Sequence, residues 1–185
     1  MNMRKVLWFG LSAGVIFSVS CVNDMNKVKL YSKGQVTPQE TARSIKIIYS
    51  DSAKVKVELT APVLNHYSNE NPYVEMPKGM KAVFYNDRME VKSTLDADYG
   101  VRYELEQKME ARKNVVVVNE KGERLNTEHL IWDEKKEKLL SDDFVKITTK
   151  DEIFYGNGFE ANQDFSKYRI YKLKGTISLN KPTNP

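Results

Sequence analysis

Residues Lys78 to Leu105 read KGMKAVFYNDRMEVKSTLDADYGVRYEL, and the fold is decided in this stretch. Two runs, Met80 to Tyr85 and Met89 to Leu95, flank Asn86-Asp87-Arg88, and a third run follows Asp96-Ala97-Asp98. Each polar cluster favours a turn through side-chain to backbone hydrogen bonds, so the stretch predicts a β-meander. Met89, Val91, Ser93 and Leu95, then Tyr99, Val101, Tyr103 and Leu105, put apolar or small residues at every second position. Charged and hydroxyl residues fill the gaps. A period of two means strands with one dry face and one wet face.

The same unit recurs outward from this stretch. Towards the N-terminus, Arg43 to Tyr49 begins a strand, and Lys54 to Val63 alternates with Val55, Val57, Leu59, Ala61 and Val63 on one side. Pro62 places that strand at an edge or a bulge, and Asn65 to Pro72 reads as a loop. Towards the C-terminus, Gln107 to Arg112 reads equally as a continued strand or one helical turn. Val115 to Val118 predicts a short strand with apolar residues on both faces, closed by a turn at Glu120-Lys121-Gly122. Glu123 to Trp132, a turn at Asp133 to Lys136, and the arms Leu139-Leu140 and Phe144 to Thr149 follow, the last two separated by Ser141-Asp142-Asp143. Gly156-Asn157-Gly158 predicts a kink or bulge after Glu152 to Tyr155. Tyr168 to Leu179 is the last long strand, and the few residues after it are a tail. No amphipathic helix longer than about three turns follows Cys21, so the class is all-β and antiparallel, in two facing layers or a partly closed barrel.

The first 21 residues differ in kind. Arg4 and Lys5 precede an uncharged run from Val6 to Val19, and Ser18-Val19-Ser20-Cys21 ends it. This is the composition of a secretory signal, and its 14 uncharged residues fall short of the roughly 20 that span a bilayer. Cys21 is the sole cysteine, and an unpaired thiol in an oxidising compartment is a liability unless something consumes it. The segment resembles the lipobox of bacterial lipoproteins, with Ser18 where that motif usually has a larger aliphatic residue. Acylation of Cys21 is therefore expected, with an uncleaved anchor as the alternative. The organisation expected is a signal or anchor over 1–21, a tether over 22–42, a β-domain over 43–180 and a tail over 181–185.

Composition narrows function mainly by exclusion. After Cys21 the chain carries 27 basic against 25 acidic residues, too even a balance for nucleic acid, which takes a concentrated basic face. His66 and His129 stand too far apart in sequence to predict a metal site, and no nucleophile or phosphate-loop motif is present. Asp96 to Gly100 lacks the later ligands of a calcium loop, and Asp142-Asp143 reads as a solvated strand break. No catalytic residue, metal or cofactor is expected. The abundant feature is an apolar face spread over many strands, with Tyr49, Tyr85, Tyr99, Tyr103, Tyr155, Tyr168, Tyr171 and Trp132 among them. It reads either as a closed sandwich core or as a cleft sheltering acyl chains, where each buried CH₂ contributes about 0.8 kcal/mol.

Particular words then recur in order. These are Ile48-Tyr49-Ser50-Asp51, Ala61-Pro62, Met76-Pro77-Lys78-Gly79 before Val83-Phe84-Tyr85, Leu125-Asn126-Thr127-Glu128 with Leu130-Ile131-Trp132-Asp133, Leu140-Ser141-Asp142, Val145-Lys146-Ile147-Thr148, and Gly156 to Ala161 followed by Phe165. In them the chain resembles the LptC family, the periplasmic component of lipopolysaccharide export, in a form with a lipoprotein signal. That resemblance covers most of Arg43 to Leu179. It implies an open, V-shaped antiparallel β-jellyroll of the OstA and LptA type that binds lipopolysaccharide at the periplasmic face of the inner membrane. Such a protein takes the lipid from an inner-membrane ABC transporter (LptB, LptF and LptG) and passes it to an LptA-like protein through edge strands. The strands at the two ends, Arg43 to Tyr49 and Tyr168 to Leu179, are the expected edges. The lipid-facing set expected from the alternation is Val57, Leu59, Val83, Tyr85, Val91, Leu95, Val101, Tyr103, Val117, Leu130, Ile147 and Ile177, with Lys81 and Lys92 at the rim. A register error of one residue turns any of these outward. The rival readings are an exported structural or adhesive lipoprotein with a closed core, and a hydrolase built on converging acids or on His129 with a carboxylate.

Overall fold

The computed structural model describes residues 37–179. The expectations for the signal, Cys21, most of the tether and the tail fall outside the described residues. Within them the chain is all-β: β1 (Glu40–Asp51), β2 (Lys54–Tyr67), β3 (Tyr73–Met76), β4 (Met80–Tyr85), β5 (Val91–Ala97), β6 (Tyr99–Tyr103), β7 (Lys108–Asn119), β8 (Arg124–Asp133), β9 (Lys138–Thr148), β10 (Glu152–Asn162) and β11 (Tyr168–Ser178). All pairings are antiparallel, so the all-β antiparallel class expected from the alternation is the one observed, and it is consistent with the jellyroll that the resemblance implies.

The two facing layers are halves of one folded sheet. The first half of β2 pairs with β4 and its last residues pair with β3. Likewise the first half of β7 pairs with β6 and its second half with β5. Long strands therefore run from one layer into the other, and the short strands β3 with β4, and β5 with β6, fill the two intervening places with half a strand in each layer. Call the layer holding β4 and β5 arm A, and the layer holding β3 and β6 arm B. Nine rungs stack in the order β1, β2, β3 with β4, β5 with β6, β7, β8, β9, β10, β11. At strand spacings of about 4.8 Å, eight gaps make a trough about 38 Å long.

What bends the rungs from β7 to β11 is an extra residue near the middle. The register shifts by one between β7 and β8 across Arg112 to Val115, between β8 and β9 across Thr127 to Ile131, between β9 and β10 across Asn157 to Phe159, and between β10 and β11 across Tyr155 and Gly156. Lys113, Asn114, Ser44 and Gly158 carry positive φ at this line. Such bulges bend and twist a strand locally, and aligned across neighbours they crease the sheet. Pro62 sits on the same crease, opposite Ser44 and between the β4-paired and β3-paired parts of β2. There its missing N–H breaks no ladder bond to β3 or β4. In the split rungs the crease is a turn instead: Pro77-Lys78-Gly79 joins β3 to β4, and Asp98 alone joins β5 to β6.

That single-residue joint corrects the expected meander. Met80–Tyr85 and Val91–Ala97 do form a hairpin, but Tyr99–Tyr103 pairs with β3 and β7 rather than folding back on β5. One residue is too short for a hairpin turn and serves as a corner between layers. Val115 to Val118, expected as a separate strand, is the second half of β7, and Gln107 to Arg112 mostly supplies its first half, which settles that alternative as strand. Asn65 to Tyr67, expected in a loop, completes β2, and β1 begins at Glu40, ahead of the expected boundary.

Candidate functional site

Among the described residues the inner faces of the two arms form an extended apolar surface. Side chains at directly paired positions share a face, so the register assigns each residue to the inside or the outside. Arm A contributes Val57, Leu59, Ala82, Phe84, Leu95, Val117, Leu125, Val145 and Ile147. Arm B contributes Met76, Met109, Ala111, Leu130, Trp132, Leu139, Phe159 and Ala161, and all of these belong to one buried cluster. The row reaches both ends of the stack. On β1, Ile45, Ile47 and Tyr49 pair with Ala61, Leu59 and Val57 and are only partly buried. On β11, Tyr168, Ile170 and Leu173 pair with Ala161, Phe159 and Gly156. Leu173 is 57% exposed because no rung lies beyond it.

The expected lipid-facing residues divide by register. Val57, Leu59, Leu95, Val117, Leu130 and Ile147 line the interior and are at most 3% exposed. Val83 and Tyr85 are half-buried on the outer face, because their neighbours Ala82 and Phe84 take the inside. Tyr103 faces outward beside Tyr73, their rings tilted at 45°, and Tyr73 in turn stacks on Tyr67. Val101 shares the outer face with Glu75 and Glu110, though it is buried there. Ile177 pairs with Ile153 on the outer face and is half exposed, and Val91 is half exposed at the tip of arm A. Lys81 is held by Asp96 at 3.4 Å and Lys92 by Glu120 at 2.5 Å.

Between the arms there is little free space. The interior void bounded by Met80, Ala82, Phe84, Leu95, Met109, Ala111, Leu130 and Trp132 is about 10 Å³, no larger than a water molecule needs. The mouth opposite the crease is shut by a few contacts at the arm tips. Trp132 of arm B meets Phe84 (ring centroids 5.3 Å apart) and Tyr49 (6.0 Å) of arm A, both edge-to-face. The turn between β10 and β11 folds inward, burying Phe165 fully. It accepts hydrogen bonds from arm A, with Asn119 Nδ2 donating to the Phe165 carbonyl at 3.2 Å and Ser93 Oγ to that of Gln163 at 3.4 Å. Trp132 Nε1 donates to Gln163 Oε1 at 3.2 Å.

One charged pair lies on the inner side. Arg102 is paired with Met109, and Met109 with Trp132, so all three share the inner face of arm B. Its guanidinium donates from Nε and Nη2 to both oxygens of Glu134, at 2.6 and 2.8 Å, and lies 5.8 Å from the centre of the Tyr49 ring. The hydrogen bond to Glu134 raises the Arg102 pKa further, and burial raises that of Tyr49.

Other ionisable groups cluster outside. His129 Nε2 stands 3.0 Å from Glu110 on the outer face of arm B, which is the histidine–carboxylate pair the hydrolase reading asks for. Glu110 is also engaged by Arg112, and neither residue lines the interior void or the mouth. Burial works against the Glu110 carboxylate, and its bonds to Arg112 and His129 outweigh that and lower its pKa. His66 faces Glu104 at 3.3 Å and Glu40 at 3.8 Å. Among the described residues no three His, Cys, Asp or Glu side chains gather as a metal site, and no helix is long and apolar enough to cross a membrane.

Trp132 and Phe165 are the functional candidates that the expected lipid-facing set left out. Trp132 stands in the alternation Leu130, Trp132, whereas in the polar run Asn162 to Lys167 no periodicity marks Phe165, which stood out only as its sole aromatic residue and as the end of a recurring word. No curated protein matches the chain. Residues 19–177 match the model of the family LptC, described as lipopolysaccharide-assembly, LptC-related.

Proposed function

The chain belongs to the LptC family, which gives it a role in lipopolysaccharide transport at the periplasmic side of the inner membrane, and from that premise we propose that the trough between its arms carries the lipid's acyl chains. The chain receives lipopolysaccharide from the ABC transporter formed by LptB, LptF and LptG and hands it to an LptA-like protein, with the sugars outside the mouth. The observation that carries this reading is the continuity of the inner row, from Ile45, Ile47 and Tyr49 on β1 to Tyr168, Ile170 and Leu173 on β11. Among the described residues each of those strands pairs on one side only. A free edge invites a further strand, and a partner added at either end extends the trough without a step. Acylation of Cys21 supplies the tether, and the 15 residues between Cys21 and Thr37 reach at most about 50 Å when extended.

Because the void is about 10 Å³, the arms as they stand leave no room for hydrocarbon. Transport on this reading requires them to part at the mouth while the crease holds. That same filled interior favours the second reading, an exported structural or adhesive lipoprotein with a permanently closed core.

Photo-crosslinking in cells separates the two, using adjacent positions on opposite faces: Ile47 against Ile48, and Ile170 against Tyr171. Lipopolysaccharide adducts from Ile47 and Ile170, with few from Ile48 and Tyr171, are expected for transport. Adducts from neither inner position, or equally from both faces, leave the closed-core reading standing.

A further inference from the structure

We propose that Arg102 is a binding site for an anionic phosphate on the amphiphile's headgroup, and that Glu134 occupies it while the mouth is shut. The inference rests on the acyl-chain reading of the trough. Arg102 interrupts an otherwise apolar stretch of inner face, with Met109 and Trp132 beside it in register and Tyr49 across the mouth. A stable core does not need an ion pair there, since apolar replacements of buried pairs are often neutral or stabilising. The pairing is bidentate, the geometry in which a guanidinium holds a carboxylate or a phosphate alike.

Glu134 is the part that can leave. It belongs to the turn between β8 and β9 rather than to a strand, so swinging its side chain away breaks no ladder bond. Arg102 itself is fixed on β6 between β3 and β7. The same turn sends Lys136 and Glu137 into a groove of about 460 Å³ along the mouth, which Lys56, Lys92 and Asp87 of arm A, Lys138 of arm B and Asp164 also line; its lysines are paired, Lys56 with Asp87, Lys92 with Glu120, Lys136 with Asp133 and Lys138 with Glu160. A headgroup lying along that groove sets its phosphates in competition with those carboxylates, as at Arg102, while its chains point inward past Trp132. When the arms part, Arg102 loses Tyr49 as well, and exchanging Glu134 for phosphate keeps the guanidinium paired.

The test uses the full chain with two probes that differ only in charge: bis-phosphorylated lipid A and the same lipid A with its phosphates removed. Loss of a charge-assisted bidentate bond predicts that Arg102→Gln weakens binding of the phosphorylated probe roughly ten-fold or more. The dephosphorylated probe binds that variant as it binds the wild type. Glu134→Gln tightens the phosphorylated probe, because the competing anion is gone, and Arg102→Lys restores part of the loss. A purely structural strut behaves otherwise: both variants then shift both probes together, and the inference is overturned. Should Arg102→Gln not fold, Glu134→Gln decides alone by the sign of its effect. If the wild type binds neither probe, the acyl-chain reading itself fails. If it binds both and neither variant discriminates, only the phosphate site fails.

Discussion

Trp132 touches both arms through one ring: Phe84 and Tyr49 on one side of the mouth, Gln163 through its indole N–H. It is 5% exposed, so truncation leaves a cavity where the arms meet. Trp132→Ala is expected to cost about 3–5 kcal/mol in urea unfolding, and Trp132→Phe appreciably less. A second residue-scale prediction concerns Tyr99, whose hydroxyl donates to Glu75 at 2.9 Å on the outer face. Burial, then that bond to a carboxylate, raises its pKa above the usual tyrosine value of 10.0. A raised folded pKa means its contribution is whole below the unfolded value and is lost as pH rises through the folded one. The urea midpoint should therefore hold up to about pH 10 and fall above it. In Tyr99→Phe that alkaline fall should be smaller, and an equal fall in both proteins would remove Tyr99 as its source. At this scale the sequence was partly legible. In Met80 to Tyr85, Lys81 alternates with Val83 and Tyr85, so a charged residue already marked their face as the wet one. Arg102 misleads in the other direction, since a cation on an inner position puts Tyr99, Val101 and Tyr103 out of phase with the core.

Strands and turns were legible as elements because alternation is local, whereas the crease was not. One extra residue per strand shifts the register without changing composition, so Lys113-Asn114 and Asp142-Asp143 look like ordinary polar breaks. Gly156-Asn157-Gly158 announced itself by its glycines, and Pro62 by its missing N–H. For the same reason simple alternation from the inward Leu173 puts Ile177 inside, and the register shift between Tyr155 and Gly156 turns it outward. Gly156 also shows how closely the last two rungs approach. A Cβ there would stand 2.3 Å from Ile170 Cγ2 and 2.7 Å from the Lys172 carbonyl oxygen, which is backbone and cannot swing aside. Gly156→Ala should therefore push β11 off β10. Hydrogen exchange should speed up in Tyr168–Ser178 and stay unchanged in β7 and β8. Uniform acceleration across all strands would mean that β11 is integral to the core rather than a detachable edge.

At the largest scale, residues 37–179 form a creased sheet whose two halves meet along a filled interior, open at both ends of the stack and shut at the mouth by a few contacts. Hydrogen bonds between neighbouring rungs make each arm stiff, and the bulge line is where the ladder is already interrupted, so parting the arms costs tip contacts rather than strand pairing. The tips differ in strength. Near β1 the closure is the Tyr49, Trp132 and Arg102 contact, while near β11 it is the inward turn carrying Phe165. What sequence alone left open, a sealed sandwich or a cleft, comes down to whether these contacts yield to lipid. That is a difference of free energies which alternation does not encode. The direct measurement is the distance between spin labels on cysteines placed at Lys121, on a turn of arm A, and Lys135, on a turn of arm B, in a chain whose Cys21 is serine. With lipopolysaccharide bound, the distance distribution should lengthen by several ångström relative to the free protein, while a pair placed at Lys113 and Asp142 on the crease stays put. An unchanged Lys121–Lys135 distance in a complex that demonstrably holds lipid would contradict the parting of the arms.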